Sequence, residues 1–217
     1  MEIKLINTPP SILNQYLAEI RDCDIQTDPL RFRRNLERIG EIFAYEISKV
    51  LSYKEKYVKT PLGTAMEYIP GEELVIASIL RAGIPLHNGI LNCFDRSENA
   101  FVSAYRKYNE EGDFEIHIEY ISAPDLNGKT LILADPMLAT GSSLELAYRA
   151  LHANGTPSHT HLVSIIASQA GVDYVKKQLK GEPVTLWLAG LDEELNAKSY
   201  IVPGLGDAGD LAYGSKL

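Results

Sequence analysis

The chain has 217 residues, 45% of them hydrophobic, and a formal net charge of −8, which suits one well-cored domain. With 29 acidic against 21 basic residues and no basic run longer than RFRR at 31–34, nucleic-acid binding through many phosphate contacts is not expected. An anionic small molecule stays open, because a few arginines, helix-end N–H groups and a metal ion hold phosphates on an acidic protein.

In chain order, MEIKLINTPPSILNQYL has no continuous apolar core and no small-residue cleavage site. No run of about eighteen apolar residues follows it, so neither secretion nor membrane insertion is expected. The first seventy residues read as helical and then irregular. Asp28 as a cap and Pro29 as first helical residue predict a helix over 28–51, with Leu36, Ile39, Phe43, Ile47 and Val50 at helical spacing. Two extended pieces around Pro61-Leu62-Gly63, within 57–69, predict a β-hairpin arm. Cys23 and Cys93 lack metal-ligand or CxxC spacing and read as ordinary thiols in a reducing, cytoplasmic compartment.

From residue 74 short apolar runs take over: LVIASIL (74–80), FVSAY (101–105), LILA (131–134), HLVSIIA (161–167) and VTLWL (184–188). Helix-like segments at 84–93, 143–153 and 171–179 separate several of them. Apolar strands alternating with helices predict an α/β fold, a mostly parallel central sheet flanked by helices. Ligands of such sheets bind beyond the carboxyl ends of the strands, so the residues after each run are the candidates.

After 74–80 comes Arg81, with Gly83 and Pro85 re-aiming the chain; Arg106 stands at the end of the next run. One such arginine is ordinarily a solvated side chain, but two at adjacent mouths of an acidic protein read as an anion clamp. Residues 109–124 read as a polar turn and an alternating strand, a flap beside that clamp. After 131–134 come Asp135 and the small residues Ala139-Thr140-Gly141-Ser142-Ser143, then a helix opening near Ser142 or Ser143. Unpaired N–H groups at a helix start, with nearby hydroxyls, cradle a phosphate. Asp135 would repel that phosphate and suits the sugar hydroxyls attached to it. Taken alone, the arrangement is equally a capped crossover with no ligand. NGKT (127–130) fails as a triphosphate loop, since Ala123 replaces the required glycine and a strand follows. His159 and His161 lack a third ligand and read as ordinary side chains. The glycine-rich 200–214 shows little helix or strand pattern, and backbone groups in such a loop suit a flat polar heterocycle.

In SILRAGIP (78–85), YRK (105–107), LADPMLATGSS (133–143) and YIVPGLGDAGD (200–210), the sequence resembles the uracil phosphoribosyltransferases, a branch of the type I phosphoribosyltransferases. Asp135-Pro136 replaces the adjacent acids of most type I enzymes, and the terminal segment is the stronger discriminator. The resemblance implies transfer of the phosphoribosyl group of 5-phosphoribosyl-1-diphosphate to uracil N1, giving UMP and diphosphate in pyrimidine salvage. It implies Mg²⁺ held mainly through diphosphate and water, with no direct protein ligand assigned. It carries Arg81 and Arg106 to the diphosphate, and Asp135, Pro136, Met137, Leu138, Ala139, Thr140, Gly141, Ser142 and Ser143 to the ribose and 5-phosphate. Ile201, Gly206, Asp207 and Ala208 go to uracil, Asp207 also facing the sugar–diphosphate side; Asp135, Arg106 and Asp207 are the catalytic candidates. A single domain over 1–217 is expected, with an N-terminal helical segment and arm to about 70 and a C-terminal base-binding hood from about 190. A homodimer or higher even oligomer is implied, with neither nucleic-acid nor membrane partner. Activation by GTP, a family trait, would reside in the weakly matching N-terminal third. Ser142 stands where the family has glycine; a serine fits a helix cap, so phosphate binding is expected to survive. The rivals are an orotate or purine enzyme of the same fold, an RNA-binding homologue and a sugar-phosphate sensor.

Overall fold

The computed structural model describes residues 1–108 and 114–215, and only the backbone of 104–108 and 114–118. The chain opens with a strand that the sequence pattern does not reveal, β1 (Glu2–Leu5). Helix α1 (Ile12–Arg21) starts from a reciprocal cap between Ser11 and Asn14 and buries Leu13, Leu17 and Ile20. Helix α2 (Pro29–Ser48) opens as expected, the Asp28 carboxylate accepting from the N–H groups of Leu30 and Arg31 at 3.0 and 3.2 Å. Leu36, Ile39, Phe43 and Ile47 are buried, but Val50 lies past the helix end and is 47% exposed.

The expected hairpin arm is β2 (Tyr53–Thr60) and β3 (Gly63–Pro70), paired antiparallel from Tyr53↔Pro70 to Thr60↔Gly63. Then follow β4 (Leu74–Leu80), α3 (Ile84–Cys93), β5 (Glu98–Tyr108), β6 (Phe114–Ser122), β7 (Thr130–Ala134), β8 (Met137–Leu138) and α4 (Ser142–Leu151). The chain finishes through β9 (His159–Ser168), α5 (Gln169–Gln178), β10 (Val184–Asp192), β11 (Glu194–Leu195), β12 (Ile201–Val202) and α6 (Ala208–Tyr213). The last three elements correct the expectation of an unpatterned terminus: β11 and β12 pair antiparallel, and α6 is a short helix capped by Asp207.

Among the described residues the central sheet has the order β1-β10-β9-β7-β4-β5-β6, with β8 added to β9. Every pairing is parallel except β5 with β6. Alternation along each strand sends side chains to two apolar layers. On β4, Ile76 joins the cluster of α1, α2 and α3, while Val75, Ala77 and Ile79 join that of α4 and α5. The β4–α3–β5 crossover runs towards one side of the sheet and β7–α4–β9 towards the other. That reversal opens a crevice between the carboxyl ends of β4 and β7, where ligands of open α/β sheets bind.

Candidate functional site

The two edges of this crevice carry Arg81, directly after β4, and Asp135, directly after β7. The Leu80–Arg81 peptide bond is cis. Gly83 sits where a Cβ would lie 2.5 Å from Ser78 Oγ and 2.7 Å from the Ile79 carbonyl oxygen, so only glycine lets the chain double back over β4.

The stretch from Asp135 to Gly141 is stitched along β9. Asp135 N–H donates to the Val163 carbonyl at 3.0 Å, and the Pro136 carbonyl accepts from Ile165 and Ile166 at 3.1 and 3.0 Å. Ser164 Oγ donates to the Asp135 carbonyl at 2.5 Å, and Ser168 Oγ to that of Ala139 at 2.6 Å. Residues Met137 and Leu138 extend the pairing as β8, opposite Ile166 and Ala167. The backbone is thus set before any ligand arrives.

At the end of this run Gly141 has φ +86° and is the N-cap of α4. An added Cβ there would meet Gly171 O, Tyr174 Cδ1 and Val175 Cγ2, each at 2.9 Å. No side chain caps the helix; its first N–H groups carry the positive end of the dipole at the crevice. The expectation that Ser142 serves as cap is corrected, because the left-handed turn falls on Gly141 and makes Ser142 the first helical residue. Its hydroxyl instead pairs with that of Thr140 at 2.8 Å. Burial pushes the Asp135 carboxyl up to about 7, partly opposed by a hydrogen bond from the Met137 backbone.

Arg81 reaches across to the C-terminal segment. Its Nη2 donates to Asp210 Oδ1 at 3.0 Å and to the Gly214 carbonyl, while its buried Nε has no hydrogen-bond partner. Asp207 Oδ1 accepts from Asp210 N–H at 3.0 Å and so caps α6. Gly206 has φ +93° with open space where a Cβ would stand. The side chains of Ile201, Leu205 and Ala208 are buried in the core on this face, leaving the loop backbone as its polar surface. Arg106 is not at a strand end: β5 continues to Tyr108, and Arg106 pairs with Ile116 in the extension beyond the last β4 contact, Leu80↔Ser103. Its side chain, and the turn of the expected flap at 109–113, lie outside the described residues.

A cavity of about 770 Å³ is lined by residues such as Leu74, Glu98 and Lys129 at the starts of strands, the end of the sheet opposite the crevice. The position of Arg81 and Asp135 at a topological switch point outweighs cavity size in locating the site. His161 is buried, its Nδ1 accepting from Trp187 Nε1 at 3.1 Å, and burial takes its pKa down to about 4. It belongs to the strand-start end as well.

Comparison with known proteins agrees with this fold. A family model described as uracil phosphoribosyltransferase matches residues 8–215. The chain belongs to that family. A curated uracil phosphoribosyltransferase of Porphyromonas gingivalis is 56% identical over 217 residues, covering 100% of both chains. Among solved structures, a protein of Aquifex aeolicus superposes with a TM-score of 0.85 at 32% identity, over 99% of each chain. A hypoxanthine phosphoribosyltransferase of Staphylococcus aureus gives a TM-score of 0.50 at 11% identity, covering 75% of this chain and 76% of its own, which shows a shared fold alone.

Two residues at the edge of the uracil phosphoribosyltransferase loop were not singled out from sequence. Arg21, the last residue of α1, and Asp192, the last of β10, form a bidentate pair with both contacts at 2.8 Å. A further arginine, Arg33 of α2, donates to the Ala212 carbonyl at 2.6 Å. Their separations in sequence, 171 and 179 residues, leave no local signal by which to find them.

Proposed function

We propose that the chain transfers the 5-phosphoribosyl group from 5-phosphoribosyl-1-diphosphate to uracil N1, producing UMP and diphosphate in pyrimidine salvage. The observation that carries this reading is the meeting, at one switch point, of the strand-tied loop opening α4 with Arg81, itself bonded to α6 behind the glycine-rich loop. In this reading the N–H groups of Thr140 to Ser143 hold the 5-phosphate, with the paired Thr140 and Ser142 hydroxyls beside them, while Pro136 to Ala139 shape the floor beneath the ribose. Asp135 accepts from the ribose hydroxyls, and Arg81 and Arg106 take the diphosphate. Backbone groups of Ile201, Gly206, Asp207 and Ala208 face the edge of uracil.

The reaction breaks the bond from ribose C1 to the diphosphate oxygen and forms one from C1 to uracil N1, which loses its proton. Negative charge grows on the leaving group as positive charge grows on the sugar ring. Arg81 and Arg106 stabilise the first, and the Asp135 and Asp207 carboxylates hold hydroxyls beside the second. The crevice offers hard carboxylate oxygens at Asp135, Asp207 and Asp210, the donor type Mg²⁺ takes while keeping several waters. Bound with the diphosphate, Mg²⁺ supplies further neutralisation of the departing charge. Among the described residues, one cluster of three metal-ligating side chains, Asp22, Cys23 and Asp24, is exposed on the segment after α1.

The chain works in this reading as one catalytic domain, with arm and hood as parts of it. The arm displays Tyr57 at 70% and Leu62 at 100% exposure, with Tyr53, Met66 and Tyr68 also exposed. An isolated two-stranded hairpin is marginally stable, and a second copy of this chain is the cover we assign, giving a homodimer or an even multiple. No described helix is long and apolar enough to cross a membrane. The free, exposed Cys23 and Cys93 suit a cytoplasmic setting.

Base selectivity decides the reading. Uracil presents alternating C=O and N–H groups, and cytosine inverts two of them; leaving each mismatched group unpaired costs about 1–3 kcal/mol. Turnover is measured with uracil, 5-fluorouracil, cytosine and hypoxanthine in parallel. Uracil and 5-fluorouracil are expected to react, and equal use of cytosine or hypoxanthine sinks the assignment.

A further inference from the structure

We infer that Arg21 and Asp192 are a positioning pair that sets the base-binding loop, an inference that rests on residues 201–208 holding the base. Arg21 Nη1 and Nη2 each approach one oxygen of Asp192 at 2.8 Å. The same two side chains then take both backbone groups of one loop residue. Arg21 Nη1 donates to the Gly204 carbonyl at 2.9 Å, and Asp192 Oδ2 accepts from Gly204 N–H at 2.9 Å. Gly204 has φ +56°, and an added Cβ would fall 2.1 Å from the Ile201 carbonyl oxygen. The bend is therefore tight, and only glycine fits it.

Two kinds of force hold this loop. Burial of Ile201, Leu205 and Ala208 presses it down but sets no direction, because apolar contact is non-directional. Hydrogen bonds to both sides of the Gly204 peptide fix rotation and height, which apolar contact does not. Beyond Gly204 the loop meets a cavity of about 420 Å³ lined by Cys23, Gln26, Thr27, Leu205, Gly206 and Asp207, so packing there does not oppose a shift. The guanidinium fork matches a carboxylate in two contacts while sparing a third donor for the carbonyl. A lysine ammonium at the same place is a point charge and does not reproduce that plane. The side chain of Asp192 is 8% exposed and that of Arg21 27%, which limits competition from water. Gly206, Asp207 and Ala208 follow two to four residues later, so a tilt at Gly204 moves the groups that read the base. It leaves the α4 loop, tied separately to β9, in place.

The experiment compares Arg21→Lys and Asp192→Asn with the unsubstituted enzyme, measuring KM for each substrate, kcat, the cytosine-to-uracil ratio and the melting temperature. Asn keeps an acceptor for Gly204 N–H, so it should be the milder change. We expect Arg21→Lys to raise KM for uracil about tenfold or more, the weight of roughly one charge-assisted hydrogen bond, with KM for the phosphoribosyl donor within about twofold. Discrimination against cytosine should narrow alongside. Parallel rises in both KM values with a lowered melting temperature mean a merely structural pair and overturn the inference, as does an unchanged KM for uracil in both variants. Should Arg21→Lys fail to fold, the same split read in Asp192→Asn decides the matter in either direction. Failure of the unsubstituted protein to use uracil removes the function reading and this inference with it, whereas normal uracil turnover with no split removes the inference alone.

Discussion

The loop before α4 and the loop before α6 lie on one crevice but are built in opposite ways. The first leaves β7 and is tied within about thirty residues of chain to the neighbouring strand β9, through Val163, Ser164, Ile165, Ile166 and Ser168. The second is held, together with the α6 it leads into, by three arginines remote in sequence: Arg21 with Asp192 at Gly204 of the loop, Arg33 at Ala212 of the helix, and Arg81 at Asp210 and at Gly214, just past the helix. In our reading the phosphate site sits on bonding to a neighbouring strand that is set by topology. In the same reading the base site sits on a segment whose posture depends on a few long side chains. Such posture changes by substitution without disturbing the sheet, which is one physical route to different bases on one fold.

The comparison breaks most sharply at Gly141. Replacing it with valine places a branched side chain at φ +86°, which costs about 1–3 kcal/mol before any clash. The new Cβ also meets Gly171, Tyr174 and Val175 at 2.9 Å. We expect loss of activity of more than about a hundredfold with a lowered melting temperature. The strand-tied loop has no slack to absorb the change. Near-normal KM for the phosphoribosyl donor in a Gly141→Val enzyme would show that this loop is as adjustable as the other.

Asp135→Asn comes next. If the carboxylate holds ribose hydroxyls by charge-assisted bonds worth about 1.5–3 kcal/mol, kcat should fall about ten- to a hundredfold. Stability moves the other way. The folded carboxyl titrates at about 7 against an ordinary 3.8, because of burial. Between these values the unfolded chain has lost the proton and the folded one keeps it, so unfolding free energy falls as pH rises. The penalty is complete above about 7 and absent below the unfolded value. Urea midpoints at pH 4.5, 6 and 8 should show that slope in the parent and a shallower one in Asp135→Asn. Identical slopes would remove Asp135 as the group that titrates with unfolding.

What the sequence disclosed follows the same division. The run 74–80 and the segment 84–93 match β4 and α3 residue for residue, because apolar runs and helical periodicity are local. Asp28 and Pro29 marked the start of α2 for the same reason. The four residues of β1 escaped, since they are largely exposed and become a strand only by lying beside Thr185 to Leu188. Helix α6 escaped because six residues hold too little periodicity, and neighbouring glycines read as loop; its cap is the Asp207 that was assigned to substrate. The placement of Arg106 at a strand end failed because β6 prolongs β5 past its parallel partner, a long-range pairing. At the crevice, the acid and the small-residue turn were legible by type and order. The Arg21–Asp192 tie was not.

Support by remote side chains reaches, in our reading, across to a second chain through the arm. Tyr57→Ser combined with Tyr68→Ser removes two exposed aromatic rings without touching the crevice. Gel filtration across a dilution series should show the double variant dissociating at higher concentration than the parent, with activity falling severalfold on dilution. If both elute alike at every concentration, the arm is not the contact between copies.

The smallest effect is expected at Ser142, and it tests the backbone character of the α4 loop most finely. The side chain stands at the first position of the helix, where an N–H has no intrahelical partner whatever residue is present. Its hydroxyl pairs with Thr140 Oγ1 at 2.8 Å, a contact between half-buried groups worth about 0.5–1.5 kcal/mol at most. Changing Ser142 to glycine removes that bond and loosens one residue, but leaves the left-handed turn at Gly141 and every tie to β9 intact. If N–H groups do the binding, KM for the phosphoribosyl donor should change by no more than about threefold, and KM for uracil should not move. Thr140 loses its partner in the same variant, so Thr140→Val examined beside it separates the pair from either hydroxyl alone. Matching small effects in both keep the loop a backbone device. A tenfold rise confined to the donor in Ser142→Gly would make the hydroxyl itself a ligand of the phosphate, and the contrast between the two loops would then rest on side chains at both ends.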